Sequence, residues 1–302
     1  MLLILGSINA DLLFKVDKLP RPGETVLCPG YEMAPGGKGS NQAAAAAKAG
    51  AQVRFVGNVG GDAYGPVVRQ LLVDAGVDAT QLATTDRPTA IAVIGVDAGG
   101  ENAIIVASGA NLATDAAQVD DAQLGPGVTV LCQNEIREDQ TWAILRRGRA
   151  RGARTILNLA PAATVPEEVL AALDVLVVNE IEAQMVASSS DEPVAIARDL
   201  ARRYGLTCVV TLGAAGAVAV SRDGAWSASS LKITPVDTTG AGDCFTGVLA
   251  AALDEGQALP EALRRACVAA SLACLAVGAQ SSQPTRAQID ARLAEVPPAR
   301  RI

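Results

Sequence analysis

"DTTGAGD", residues 237–243, sets an aspartate at either end of two threonines and a Gly-Ala-Gly turn. The preceding "LKITPV" (231–236) reads as a strand edge, and the following "CFTGVLAAAL" (244–253) as an apolar helix. A strand passing through a small-residue turn into a helix is a joint of an α/β fold. The turn has two readings: a turn with a helix cap, or a helix N-terminus that holds phosphate while a carboxylate removes a proton. In the second, the N–H groups of Gly240, Ala241 and Gly242 converge on an anion, and Asp243 beside it accepts a proton from an attacking hydroxyl. A cap alone would not need so many small residues, so the anion-site reading is preferred.

The rest of the chain has the same grammar. Short runs at Leu2–Leu5, Val53–Val56, Val128–Leu131, Thr155–Leu157, Val175–Val178, Cys208–Thr211 and Ala217–Val220 read as strands. Helical stretches are expected at 39–49, 62–75, 138–151, 192–204, 242–254, 260–276 and 285–294. This alternation predicts a doubly wound, mostly parallel sheet with helices on both faces and ligands beyond the carboxyl ends of its strands. Two segments, 11–35 and 89–107, break the pattern and read as antiparallel pieces of a small extra sheet, with "VDAGGEN" as a hairpin. The 302 residues are read as one α/β domain carrying that sheet.

Composition removes whole classes of chemistry. Half of the residues are hydrophobic and only 3% aromatic, so the core is aliphatic and Ala-rich. The absence of histidine excludes Ser-His-Asp and Cys-His catalysis and histidine metal sites. A net charge of −7 without a basic cluster argues against nucleic acid or an anionic membrane as partner. Six cysteines without a CxxC pair read as small core residues of a reducing, cytoplasmic compartment. The opening "MLLIL" is too short for a membrane span.

Four further motifs each have two readings. "GGKGSNQA" (36–43) lacks the Walker spacing; it is either a glycine loop with Lys38 in solvent or a backbone cradle whose Asn41 bonds hydroxyls. Asn9 and Asp11 in "GSINAD" (6–11) form an Asx turn or grip a vicinal diol just past the first strand. Asn179 and Glu182 in "VVNEIEAQ" (177–184) cap a helix or hold Mg²⁺ and its waters. "TLGAAG" (211–216) is a β-turn or a nucleotide contact.

Together with "DTTGAGD" and "GAQSSQP" (278–284), these motifs occur in an order that resembles the ribokinases, a branch of the phosphofructokinase-B-type sugar kinases. The likeness runs over nearly the whole chain. It implies a ribokinase-like fold whose small sheet is a lid, and transfer of the γ-phosphate of MgATP to the 5-hydroxyl of D-ribose. The residues leave open a sibling activity on a nucleoside, fructose or another pentose. Position by position, the resemblance assigns the sugar to Asn9, Asp11, Gly37, Lys38, Asn41 and Glu135 (in "CQNEI", 132–136) together with Asp243. It makes Asp243 the base, Gly240, Ala241 and Gly242 the anion hole, and Asn179, Thr211, Gly213, Gly216 and Gly242 contacts to ATP. Glu182 organises Mg²⁺ indirectly, and Cys267 lies on the helix facing adenine. A K⁺ site falls on Asp237, Thr239, Ala273, Ala276, Gly278 and Ser282, several of them through carbonyls. The likeness further implies a homodimer formed through the lid.

Overall fold

The computed structural model describes residues 1–302. Its strands are β1 (Leu2–Leu5), β2 (Asn9–Lys15), β3 (Glu32–Gly36), β4 (Val53–Gly60), β5 (Asp78–Thr85), β6 (Ala90–Val96) and β7 (Asn102–Ala107). They continue with β8 (Thr129–Cys132), β9 (Arg154–Asn158), β10 (Val175–Asn179), β11 (Thr207–Thr211), β12 (Ala217–Ser221), β13 (Gly224–Ala228) and β14 (Arg300–Arg301). The helices are α1 (Lys38–Lys48), α2 (Tyr64–Asp74), α3 (Glu138–Ala150), α4 (Glu167–Leu170), α5 (Glu180–Ala187), α6 (Pro193–Tyr204), α7 (Ala241–Asp254), α8 (Leu259–Ala273) and α9 (Arg286–Arg292).

Ten strands make the main sheet, in the order β14-β13-β12-β11-β10-β9-β8-β1-β4-β5. Pairing is parallel from β5 through β11 and antiparallel from β11 to β14. The order of parallel strands turns back on itself at β1 and β8, so cross-over helices cover both faces. Period-two alternation shows this in β1: Leu2 and Ile4 enter the core beneath α1, α7 and α8, while Leu3 and Leu5 enter the core beneath α3 and α6. All seven expected strands belong to this sheet, each starting within one residue of its expected position.

Three expectations need correction. "LKITPV" is not a strand: residues 231–236 pair with no strand, the Leu231 amide donating to Ser271 Oγ of α8 and the Val236 amide to the Cys274 carbonyl. Asn9 and Asp11 do not sit in an Asx turn but begin an extended strand, β2. The small sheet, β3-β2-β6-β7, is not wholly antiparallel, because β2 and β6 run parallel and join its two hairpins. The elements β5, β13, β14, α4 and α5 are additional to those expected. Each is short or half-exposed, so its apolar period is weak.

Helices α1 and α7 pack unusually closely. Ala43, Ala45 and Ala46 of α1 are buried there, and a Cβ on Gly247 of α7 would lie 2.4 Å from the Gln42 carbonyl oxygen. Any side chain at 247 would force the helices apart. That contact brings the polar start of α1 to the polar start of α7.

Candidate active site

The first turn of α7 begins at Gly240, whose φ of 72° is left-handed and whose Cβ, if present, would lie 2.9 Å from Ala279 Cα. Glycine is required there on both counts. Gly242, by contrast, faces open space. The amides of Gly240 and Gly242 have no protein partner, whereas that of Ala241 donates to the Thr238 carbonyl at 3.2 Å. Of the three expected anion-hole amides, two are thus free and one is turned into the loop.

Asp243, one residue on, is only 6% exposed. Its Oδ2 accepts from Asn41 Nδ2 at 3.0 Å and its Oδ1 from Gln42 Nε2 at 2.9 Å. Gln42 Nε2 also donates to Asn158 Oδ1. Behind these amides stand Gln133, whose Nε2 donates to Gln42 Oε1 at 2.7 Å, and Gln280, whose Nε2 donates to Asn41 Oδ1 at 2.9 Å.

A carboxylate-rich recess adjoins this acid. Gly36, Gly37 and Gly39 let β2 and the loop after β1 approach α1: a Cβ on Gly36 would meet the Asp11 carboxylate at 2.0 Å, and one on Gly39 the Ser7 amide at 2.6 Å. Glu135 Oε2 accepts from the Lys38 amide (2.8 Å) and from Ser7 Oγ (2.7 Å). Asn9 Oδ1 accepts from Asn111 Nδ2 at 2.8 Å. Lys38 is not in solvent. Burial alone would lower its pKa, but the charges of Asp243, Glu135 and Glu182 outweigh it and hold the ammonium above its ordinary value. At Asp11 burial and charge act together: burial first, then the charges of Glu135 and Asp243, push its pKa up to about 7. One of its oxygens is buried without a hydrogen-bond partner. In a recess crowded with carboxylates, that acid lacks the donors that ligand hydroxyls would provide.

On the other side of α7 lies a cavity of about 640 Å³, lined by Thr211, Gly213, Gly216, Phe245, Cys267 and Ser271 among others. A smaller polar cavity of about 160 Å³ connects the two regions and is lined by Lys38, Asn158, Asn179, Glu182, Gly242, Asp243 and Thr246 among others. For Asn179 and Glu182 the capping reading holds. They form a reciprocal capping box at the start of α5, with Asn179 Oδ1 accepting from the Glu182 amide and Glu182 Oε2 from the Asn179 amide, both at 2.8 Å. They also face the polar cavity. Burial, the largest effect, and Asp243 raise the Glu182 pKa against the opposing pull of the Asn179 amide and Lys38.

At the opposite end of "DTTGAGD", Asp237 Oδ1 accepts from the Thr239 amide and Oδ2 from the Gly278 amide, both at 2.9 Å. Burial would raise its pKa, but hydrogen bonds from Thr239 and Gly278 outweigh that and hold it below the usual carboxylate range. Ser282 Oγ donates to the Gly278 carbonyl. The carbonyls of Ala273 and Ala276, at and just beyond the C-terminus of α8, accept no backbone hydrogen bond.

The structure therefore gathers Asn9, Asp11, Gly37, Lys38, Asn41 and Glu135 on one side of Asp243, and Asn179, Glu182, Thr211, Gly213 and Gly216 on the other. Sequence reasoning missed Ser7, Gln42, Asn111, Gln133, Asn158, Thr246 and Gln280. Ser7, Gln42, Gln133 and Gln280 lie inside motifs already singled out; an uncharged neighbour in a motif gives no separate signal. Asn111 and Asn158 stand outside those motifs, and only the fold brings them in.

A doubly wound sheet in which a large cavity and an acidic recess meet at one helix N-terminus offers the two adjoining ligand sites that a kinase of small molecules needs. The chain belongs to the pfkB family of carbohydrate kinases, whose model matches residues 1–286. It is 36% identical over 293 residues to a ribokinase of Haemophilus influenzae, covering 94% of this chain and 95% of that one. Its fold matches the crystal structure of a ribokinase from Thermotoga maritima with a TM-score of 0.91 at 32% identity, covering 97% of this chain and 99% of that one. An Arabidopsis thaliana ribokinase complexed with ribose and ATP gives 0.86 at 31% identity, covering 97% and 98%. The protein is thus an enzyme that transfers phosphate to a sugar.

Proposed function

We propose that the protein phosphorylates D-ribose at its 5-hydroxyl with MgATP, Asp243 acting as the base. The observation that carries this reading is the place of Asp243: a buried carboxylate in the first turn of α7, where the acidic recess and the nucleotide-sized cavity join. The ribose and ATP complex of the Arabidopsis relative supports the same two ligands here.

Asn9, Asp11, Gly37, Lys38, Asn41 and Glu135 hold the sugar, the carboxylates accepting its O–H groups and Lys38 donating. Asp243 takes the proton of the 5-hydroxyl as that oxygen bonds to the γ-phosphorus and the bond to the bridging oxygen of ADP breaks. The α7 N-terminus at Gly240–Gly242, with its two free amides, and Lys38 stabilise the charge on the migrating phosphoryl group. Asn179, Thr211, Gly213, Gly216 and Gly242 contact ATP, with the adenine in the larger cavity beside Cys267.

No three His, Cys, Asp or Glu side chains are grouped to hold a metal by themselves. That fits Mg²⁺, which is commonly held by one or two carboxylates, waters and the substrate phosphates. Glu182, with one oxygen outside its capping box, and Asn179 would hold its water shell; bound there, it neutralises phosphate charge. The loop of Asp237, Thr239, Ala273, Ala276, Gly278 and Ser282 fits K⁺: its acid stays ionised, and unpartnered carbonyls lie at the negative end of α8. K⁺ there adds positive charge near the anion hole.

The small sheet, from segments 11–35 and 89–107, serves as the lid over the sugar. Exposed Ile104, Ile105 and Val106 on its edge strand β7 offer the surface for a homodimer. No helix is long and apolar enough to cross a membrane, and six free cysteines suit a reducing cytoplasm.

The test is ADP release from MgATP with ribose, deoxyribose, fructose and nucleosides, each as sole acceptor. Ribose is expected to give the highest kcat/KM, with the product phosphate on the 5-oxygen. A nucleoside or fructose outperforming it would overturn the substrate assignment.

A further inference from the structure

We propose that Gln133 and Gln280, two buried glutamines that line neither cavity and do not touch Asp243, are positioning residues: they set which way the amides of Gln42 and Asn41 face the base. The proposal rests on the reading of Asp243 as that base.

The argument follows from donors and acceptors. An ionised carboxylate only accepts, so each amide beside Asp243 must present its NH₂ end to it. A primary amide is nearly symmetrical in shape, and only its partners decide which end points where. With NH₂ toward Asp243, the oxygen of each amide faces away and calls for a donor. Gln133 Nε2 is that donor for Gln42, and Gln280 Nε2 for Asn41, the latter also donating to Ser40 Oγ at 3.1 Å. Each arm is therefore locked from outside the site. Gln133 is 1% exposed, and its own Oε1 is buried with no partner, close against Gly6. A glutamine with a packing role alone would gain nothing from leaving that oxygen bare. If its amide turned over, two oxygens would face each other, and Gln42 would have to withdraw its NH₂ from Asp243.

The two arms differ in what else they touch. Gln42 is wholly buried and outside the sugar recess, so unlocking it disturbs the base, and Asn158 beside it, without touching the sugar. Asn41 lies in the sugar recess, so unlocking it disturbs both base and sugar.

The experiment measures single-turnover phosphoryl transfer and steady-state KM for ribose and ATP in the full chain. Gln133→Leu should slow transfer about tenfold, short of the ~10²-fold that a misplacement of about 1 Å can cost, with both KM values within about twofold of wild type. Gln280→Leu should slow transfer and also raise the ribose KM. Gln133→Leu should add nothing in a Gln42→Leu background, since it acts through Gln42. If Gln133→Leu fails to fold, Gln133→Met keeps the volume without the donor and carries the same expectation. Wild-type transfer in a folded Gln133 variant, a parallel rise in both KM values, or full additivity with Gln42→Leu would overturn the proposal. Asp243→Asn separates this from the reading beneath it. Wild-type turnover there removes the base itself, whereas lost turnover there with unimpaired Gln133 variants removes only the positioning.

Discussion

The acidic recess around Lys38 and the loop that starts at Asp237 handle their carboxylates in opposite ways. In the recess, Asp11 lies among other acids with an oxygen lacking a donor, and its pKa climbs to about 7. In the loop, backbone amides reach both oxygens of Asp237, and its pKa falls below the ordinary range. The difference separates two uses of charge. An acid completed by the chain's own amides keeps its charge and its place whether or not a ligand is present. An acid left short of donors gains most from a ligand that brings hydroxyls. Asp243 stands between the two, more deeply buried than Asp11 but supplied with two side-chain amides.

The largest expected effect concerns that middle acid. Asp243→Asn should lower kcat by on the order of 10²–10⁴, the usual cost of losing a general base, while calorimetry still detects ribose binding. Retained turnover would erase the distinction between Asp243 and its neighbours. Next comes the recess. If the sugar is gripped by ionised Asp11, its dissociation constant should rise about tenfold for each pH unit below about 7, and flatten in Asp11→Asn. A flat wild-type profile between about pH 5.5 and 8 would show that Asp11 holds the sugar in either protonation state. If K⁺ occupies the loop, the wild type should be more active in K⁺ than in a large organic cation, and Asp237→Asn should remove most of that difference with the ribose KM little changed. Equal activity in both cations for the wild type would leave Asp237 a loop-binding acid only.

The smallest effects are on stability, and they run in opposite senses. Asp11 has a raised folded pKa, so the folded state binds more protons than the unfolded one between about 4 and 7, and the aspartate costs stability as pH rises through that window. Asp11→Asn should therefore melt a few degrees above wild type at pH 8 and level with it near pH 4. Asp237 has a lowered folded pKa, so its stabilisation is present at neutral pH and is lost as pH falls below the ordinary aspartate range. Asp237→Asn should melt lower than wild type at pH 7, the gap closing in acid. Melting curves at three pH values decide both; the same sign for the two variants would contradict the contrast.

Much of the fold is legible in the order of the amino acids. Leu2–Leu5 announces a strand buried on both faces because every residue is apolar, and "CFTGVLAAAL" announces a helix because its Leu and Ala residues outweigh Thr246, Gly247 and Val248. The "LKITPV" segment misleads because alternating apolar residues look alike whether they pair in a sheet or line a cavity, as Leu231 and Ile233 do. The parallel β2–β6 pairing is invisible in sequence because the two strands are some eighty residues apart and no local pattern records their register. The site divides in the same way: Asp243 and Lys38 stand out within glycine-rich motifs, whereas Asn111 and Asn158 carry no mark of their own.

The sequence by itself determined the alternation of strands and helices, the glycine turns at 36–39 and 240–242, and an inventory of acids and amides from which histidine is absent. Those follow from period, backbone freedom and composition, all of them local. Only the tertiary structure decided that Asn41 and Gln42 face Asp243 across two hundred residues, that Asp11 lies bare of donors while Asp237 is supplied, and that Gln133 and Gln280 stand behind the amides. Charge state and amide orientation depend on what surrounds a group in space, and α1 reaches α7 only because Gly247 lets the two helices touch.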